Sequence, residues 1–321
     1  MKTIDHLWVY YNSVLLPDLK LMEAERRRIA DKVLILNVIG GILMFFYFLL
    51  FFIIFFFVLI LAIPTVILWV YLYQKYTKGY VSEFKTKVIY KVIKFIDENL
   101  EYNPASCISR ETYYASKLFQ RSVDRYNGDD LVYGYVDKTK IVFSELHTEY
   151  ESQHTDSKGH TSRQYHTIFR GIFFTADFNK NFIGETVVLP DTAQKMFGSW
   201  LGNILQSWNF TRDQLIKLED PEFERLFAVY GTDQVEARYI LSTSLMQRIV
   251  EFKKKTRRDI RLSFINNKVY VAISYNKNLF EPKLFKTLLD FNVIREYYED
   301  LMLAVSIVDE LNLNTRIWSK Q

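Results

Sequence analysis

Four of the five histidines fall between His147 and His166. Imidazole with a nearby carboxylate is a donor set for zinc or a similar divalent ion. If an antiparallel hairpin pairs Tyr150 with Arg163 across a polar loop, His147 and His166 stand opposite each other. Glu149 then shares their face, and cross-strand neighbours lie about 5 Å apart, within reach of a shared metal. His154 and His160 can reach in from the loop. The chemistry would be metal-assisted hydrolysis. The spacing matches no established metal signature, however, and an idle polar hairpin tip also collects His, Gln, Ser and Thr. Both readings stand.

Asp233, Glu236 and Arg238 form a second constellation, where a strand gives way to a helix. Asp233 and Glu236 are spaced as a capping pair, and Arg238 can tie the helix to a sheet. The functional alternative is a polar pocket for a ligand or partner. The densest basic run is Lys253, Lys254, Lys255, Arg257 and Arg258. It reads as a solvated helix end, which favours cations, or as a surface for anionic membrane lipid. Nucleic acid is a poor fit, because one short patch does not track a backbone and the net charge is only +4. The single cysteine, Cys107, excludes an internal disulfide and a Cys-based zinc site, and lacks the surroundings of a thiol enzyme. No Gly-rich phosphate loop, Gly-x-Ser-x-Gly elbow or His-Glu-x-x-His helix is present.

The elements that must carry these groups begin with grease. Val33 to Gln74 holds no charged residue, and about 20 apolar residues already cross a bilayer as a helix. The run is roughly twice that length and predicts two membrane helices in a hairpin. Arg26, Arg27, Arg28 and Lys32 precede it, and Lys75, Lys78, Lys85, Lys87, Lys91 and Lys94 follow it. Basic flanks resist translocation, so both ends should remain in the cytoplasm. Trp69, Tyr71, Tyr73 and Tyr76 supply an interfacial belt. The turn is unmarked, since Phe51 to Val58 has no Gly, Pro, Asn or Asp. A single long tilted helix is therefore the competing reading. The run starts too late and is too long for a cleaved signal. Asn209 begins a glycosylation acceptor that has no meaning for a cytoplasmic domain.

The expected organisation is a cytoplasmic helix over 1–32, a transmembrane hairpin over 33–74, a juxtamembrane amphipathic helix over 75–104 and a cytoplasmic domain over 105–321. In that domain, β-branched and aromatic segments predict strands at 131–136, 140–150, 164–178, 186–189, 215–218, 226–230, 260–265 and 268–273. Asn266-Asn267 should turn the last two. Asp233 with Glu236, and Ser244 with Gln247, announce helices over 234–240 and 245–255, and a last helix covers much of 291–311. Met196–Thr211, uncharged but too short and polar to span, reads as a helix packed into the core, the competing reading being one lying in the membrane interface. The fold class is α+β, an antiparallel sheet with helices.

The chain resembles a bacterial membrane-protein family known only as domain of unknown function 3137. The resemblance rests on Tyr11, Pro17, Leu19, Glu25 and Arg26, on Phe169-Arg170-Gly171-Ile172-Phe173, and on Ala176-Asp177-Phe178. Its strongest blocks are Leu218-Glu219-Asp220-Pro221-Glu222-Phe223 and Val229 through Leu241; Phe280-Glu281-Pro282 completes it. It implies two N-terminal membrane helices, a cytoplasmic domain without established activity, and a helical membrane protein of the LemA type as a partner. No catalytic residues come with it. The expectation is thus a membrane-anchored, non-enzymatic interaction module binding lipids and a protein partner or itself. The alternative is a membrane-associated metal-dependent hydrolase using His147, Glu149 and His166.

Overall fold

The computed structural model describes residues 2–51, 55–155, 161–178, 180–191 and 215–313. His160, the His154 side chain, the turn at 52–54 and the Met196–Thr211 stretch with Asn209 lie outside the described residues. The chain divides into two compact units, Met1–Ile96 with Phe280–Glu299, and Asp97–Leu279 with Asp300–Gln321.

The first unit is helical. Helix α1 (Ile4–Tyr10) is capped by Thr3, whose hydroxyl accepts from the His6 N–H while the His6 ring returns to the Thr3 N–H. It runs through a π turn at Tyr11–Leu15 into α2 (Leu16–Phe51). Among the described residues one continuous helix, Ile4–Phe51, is long and apolar enough to cross a membrane. Helix α3 (Phe55–Phe84) packs antiparallel against α2 and continues through a second π turn into α4 (Tyr90–Ile96). Trp69 Nε1 donates to Asn37 Oδ1 at 3.2 Å, the Tyr47 and Thr65 hydroxyls meet at 3.0 Å, and the Lys32 ammonium lies 5.7 Å from the Tyr76 ring. The first two pairs satisfy polar groups of the apolar stretch internally. The remaining faces expose Leu34, Ile35, Phe45, Phe46, Phe48 and Ile67, far more grease than a water-facing helix pair carries.

Beyond that stretch, Leu7, Leu15, Leu19, Phe84, Val88 and Val92 are fully buried. The returning segment Phe280–Glu299 is bonded to these helices at several points. Glu23 accepts from Arg26 Nε at 2.9 Å, Arg26 Nη2 at 2.8 Å and the Leu288 N–H at 3.1 Å, while Arg26 Nη1 donates to the Leu284 carbonyl at 2.6 Å. Buried Lys85 meets Glu281 at 2.8 Å, and the Tyr11 hydroxyl donates to the Leu289 carbonyl.

The second unit is built on an antiparallel sheet of nine described strands, in the order β1-β2-β3-β4-β9-β8-β5-β7-β6. They are β1 (Leu100–Asn103), β2 (Arg125–Val136), β3 (Thr139–Thr155), β4 (Thr161–Asp177), β5 (Thr186–Pro190), β6 (Leu215–Ile216), β7 (Phe227–Gly231), β8 (Ile260–Ile265) and β9 (Lys268–Ser274). Helix α5 (Arg110–Ala115) lies between β1 and β2. Helices α6 (Pro221–Leu226), α7 (Gln234–Ile240), α8 (Thr243–Thr256) and α9 (Phe291–Glu310) follow; α9 begins in the first unit. On one face Tyr113, Phe119, Phe169, Phe173 and Tyr270 form an aromatic core with Leu146 and Ile265. Tyr113 stacks on Phe119 with ring centres 5.1 Å apart. Asn266 and Asn267 both adopt positive φ and close the β8–β9 turn.

The mixed helix and antiparallel-sheet class expected from the sequence is what the fold shows. Strand β1, α5 and α6 were not anticipated, because each is too short to carry a period. The juxtamembrane helix ends at Ile96, and Leu100–Asn103 turns to strand instead of extending it. Helix α8 starts at Thr243, so Ser244 is inside it and its expected capping pair with Gln247 is not formed.

Candidate functional site

The β3–β4 hairpin holds the histidines, but not in the expected register. A bulge between Thr148 and Glu149 shifts the pairing, so Tyr150 faces His166 and Gln153 faces Arg163. His147 pairs instead with Arg170, which leaves His147 and His166 roughly 10 Å apart along the ribbon. His147 and Glu149 do meet, at 3.7 Å, and His147 Nε2 also contacts the Thr167 hydroxyl at 3.1 Å. The His166 ring stacks on Tyr150 and bonds Ser152 Oγ at 2.7 Å. The structure therefore joins His147 to Glu149 and gives His166 other partners.

Among the described residues, the three-group cluster with metal-ligand spacing is Asp129, Asp130 and Glu145, whose oxygens lie within 4.8 Å of one another. Asp129 pairs with Glu145, and an irregularity in the β2–β3 register between Asp129 and Val132, where Asp130 takes positive φ, brings the three together. Nothing local announces it, since Glu145 lies on a different strand from the two aspartates. These groups already have protein partners. The Tyr102 hydroxyl bonds Asp130, and the Leu279 N–H donates to Glu145 Oε2 at 2.7 Å. Their chemistry suits a hard cation, but the bonds they make are structural.

The Val229–Leu241 block forms a junction. Asp233 caps α7, accepting from the Val235 N–H at 2.7 Å and the Glu236 N–H at 2.9 Å. Glu236 does not return to the cap. Its carboxylate accepts from the Ile183 N–H at 2.8 Å and the Gly184 N–H at 2.5 Å, in the loop before β5. The Thr232 hydroxyl takes the Glu185 N–H beside them, at 2.9 Å. Lys180 closes the other end of α7, donating to the Tyr239 and Ile240 carbonyls, and burial lowers its pKa. Arg238 is exposed and, among the described residues, its guanidinium bonds the Lys217 carbonyl, at 3.4 Å. It is no buried tie between helix and sheet.

Glu236→Ala should destabilise the sheet unit by about 1–3 kcal/mol, because two N–H groups lose a charged acceptor. Arg238→Ala should stay within about 0.5 kcal/mol. Denaturant unfolding of the two variants checks this; equal losses would refute the assignment.

The basic run is largely neutralised within the second unit. Lys253 donates to the Arg258 carbonyl at 2.6 Å and meets Asp259 at 3.1 Å. Lys254 pairs with Glu222 at 2.6 Å, and Lys255 pairs with Glu310. The Arg258 guanidinium covers the Tyr275 ring at 3.6 Å, and Arg257 ends α8 in a left-handed conformation. That is the helix-end arrangement, with little charge left over for a lipid surface.

A family model described as a protein of unknown function, DUF3137, matches residues 167–313. The comparison with curated proteins returns no match. A solved structure that matches is the crystal structure of the mycobacterial trehalose monomycolate transport factor A, TtfA. It is 9% identical, with 69% of this chain and 96% of that chain covered and a TM-score of 0.30, a likeness that supports nothing further. The family match takes in the Gly171, Asp220 and Asp233 blocks and leaves out the N-terminal residues that also suggested it. From residue 167 to residue 313, the chain matches the family described as protein of unknown function, DUF3137.

Proposed function

We propose that the chain is a membrane-anchored, non-enzymatic interaction module. In this reading α2 and α3 cross the inner membrane as a hairpin and leave the remaining chain in the cytoplasm. The sheet unit engages a protein partner or a second copy, a LemA-type helical membrane protein being one candidate. One observation supports the reading above others: Lys32 stands over Tyr76, so the basic flanks of the two apolar helices share one end. Lys and Arg beside a span hold that end on the cytoplasmic side. Tethering would raise the effective concentration of sheet and partner, so a weak contact suffices. The alternative, a metal-dependent hydrolase at His147, Glu149 and His166, would require His166 to leave Ser152 and Tyr150 before joining the other two.

A reporter active only outside the cytoplasm, fused to the C-terminus, should be silent, and the same fusion after Phe51 should be active. Activity at the C-terminus would overturn the hairpin. Purification from native membranes in mild detergent should bring down a partner or an oligomer. A consistently solitary monomer would remove the interaction reading while leaving the anchor intact.

A further inference from the structure

A cleft of about 400 Å³ opens on one face of the second unit, between β3, β4 and β9 and the segment leading into α5. Thr175 pairs with Val142 on one side and Tyr270 on the other, and Asp177 pairs with Lys268. Strand alternation then puts Lys140, Val142, Thr175, Asp177, Lys268 and Tyr270 on the same face, and all but Tyr270 line the cleft. Lys140 and Lys268 are exposed, and neither holds a side-chain hydrogen bond or ion pair among the described residues. Thr175 is 9% exposed, and its hydroxyl is buried without a partner among the described residues. Such a group costs about 1–3 kcal/mol, a deficit that a polar ligand atom or the water it carries can recover. Cys107 forms part of the wall; burial, then the Asp129 carboxylate, push its pKa up and keep it a neutral thiol.

We propose that this cleft binds a small organic anion, with a carboxylate or phosphate head between Lys140 and Lys268 and a short apolar body against Val142. Among the side chains lining the cleft, two cations, Lys140 and Lys268, against one carboxylate, Asp177, set the sign of the ligand. The volume is that of a small-molecule site, not of a macromolecular groove. The raised pKa leaves Cys107 a small thiolate fraction, a slow nucleophile that lines the cleft and still reacts with a strong electrophile.

Cys107 is the sole cysteine and serves as the reporter. The full chain in neutral detergent is alkylated with a maleimide, alone and with butyl phosphate, butanoate, inorganic phosphate or butylamine, each at about 10 mM. Butyl phosphate and butanoate should slow labelling about 5-fold, inorganic phosphate less, and butylamine not at all. The Lys140→Gln, Lys268→Gln double variant should label at the ligand-free rate with every probe. Protection that survives in the double variant, equal protection by butylamine, or none by either organic anion would overturn the proposal. Equal protection by inorganic and butyl phosphate would overturn its apolar half.

Discussion

Replacing Gly171 with alanine is expected to cost about 3 kcal/mol or more and to open the sheet between β4 and β9. Gly171 has φ +146°, a region that side chains rarely adopt. A Cβ there would sit on the Ile273 carbonyl oxygen and within 2.8 Å of the Tyr275 nitrogen, both backbone atoms that cannot swing away. The strain falls where Gly171 pairs with Ser274 and where the Tyr275 N–H donates to the Arg170 carbonyl at 2.8 Å. Far-UV circular dichroism in denaturant, with hydrogen exchange of the β9 amides, reads the effect. Gly79→Ala is the control: it is helical, nothing lies within 4 Å of its Cβ position, and alanine is the better helix former. A loss below about 1 kcal/mol for Gly171→Ala would show that the strands can slide apart at little cost.

Removing Glu23 should release the returning segment Phe280–Glu299 from α2. Glu23 and Arg26 are 4% and 9% exposed, so deleting the carboxylate strands a buried guanidinium and the Leu288 N–H. Breaking such a pair costs about 3–5 kcal/mol. Limited proteolysis should then cut Glu23→Ala within 280–299 at a protease concentration that leaves the wild type whole. The pair also carries a pH signature. The hydrogen bonds from Arg26, first, and then those from the Leu288 N–H and Arg27 hold the Glu23 carboxyl at about 2, below its ordinary 4.5, against the opposing effect of burial. A depressed folded-state pKa contributes stability above 4.5, and that contribution fades as pH falls from 4.5 towards 2. Glu23→Gln should be less stable at neutral pH, and its difference from the wild type should shrink through that acid window. A difference that stays constant would mean the carboxylate charge is not what binds the segment.

Legibility followed locality. Val142, Phe143 and Leu146 on β3, or Val269, Val271 and Ile273 on β9, announce strands through their own neighbours; the expected segments overlap β2 to β9, though the first half of β2, residues 125–130, was missed. Asn266-Asn267 and Asp233 were readable for the same reason, since a positive-φ pair and an N-cap act within a few residues. The histidine site was not readable. One bulge at Thr148/Glu149 changes which residues face each other, and nothing in the alternation marks it. Glu236 shows the same limit: at capping-box spacing from Asp233, it spends its carboxylate on Ile183 and Gly184 instead.

What the sequence determined by itself was the character of each segment: where the grease is continuous, where side chains alternate, where a helix starts. Those properties depend on a residue and its near neighbours, and they survive in any arrangement of the pieces. Tertiary structure decided the partners. Glu23 finds Leu288, Glu145 finds Leu279 and Thr175 finds none, because each outcome depends on packing between segments far apart in the chain. A carboxylate's need for a donor is fixed by its chemistry, whereas the donor it meets is fixed only once the fold has closed around it.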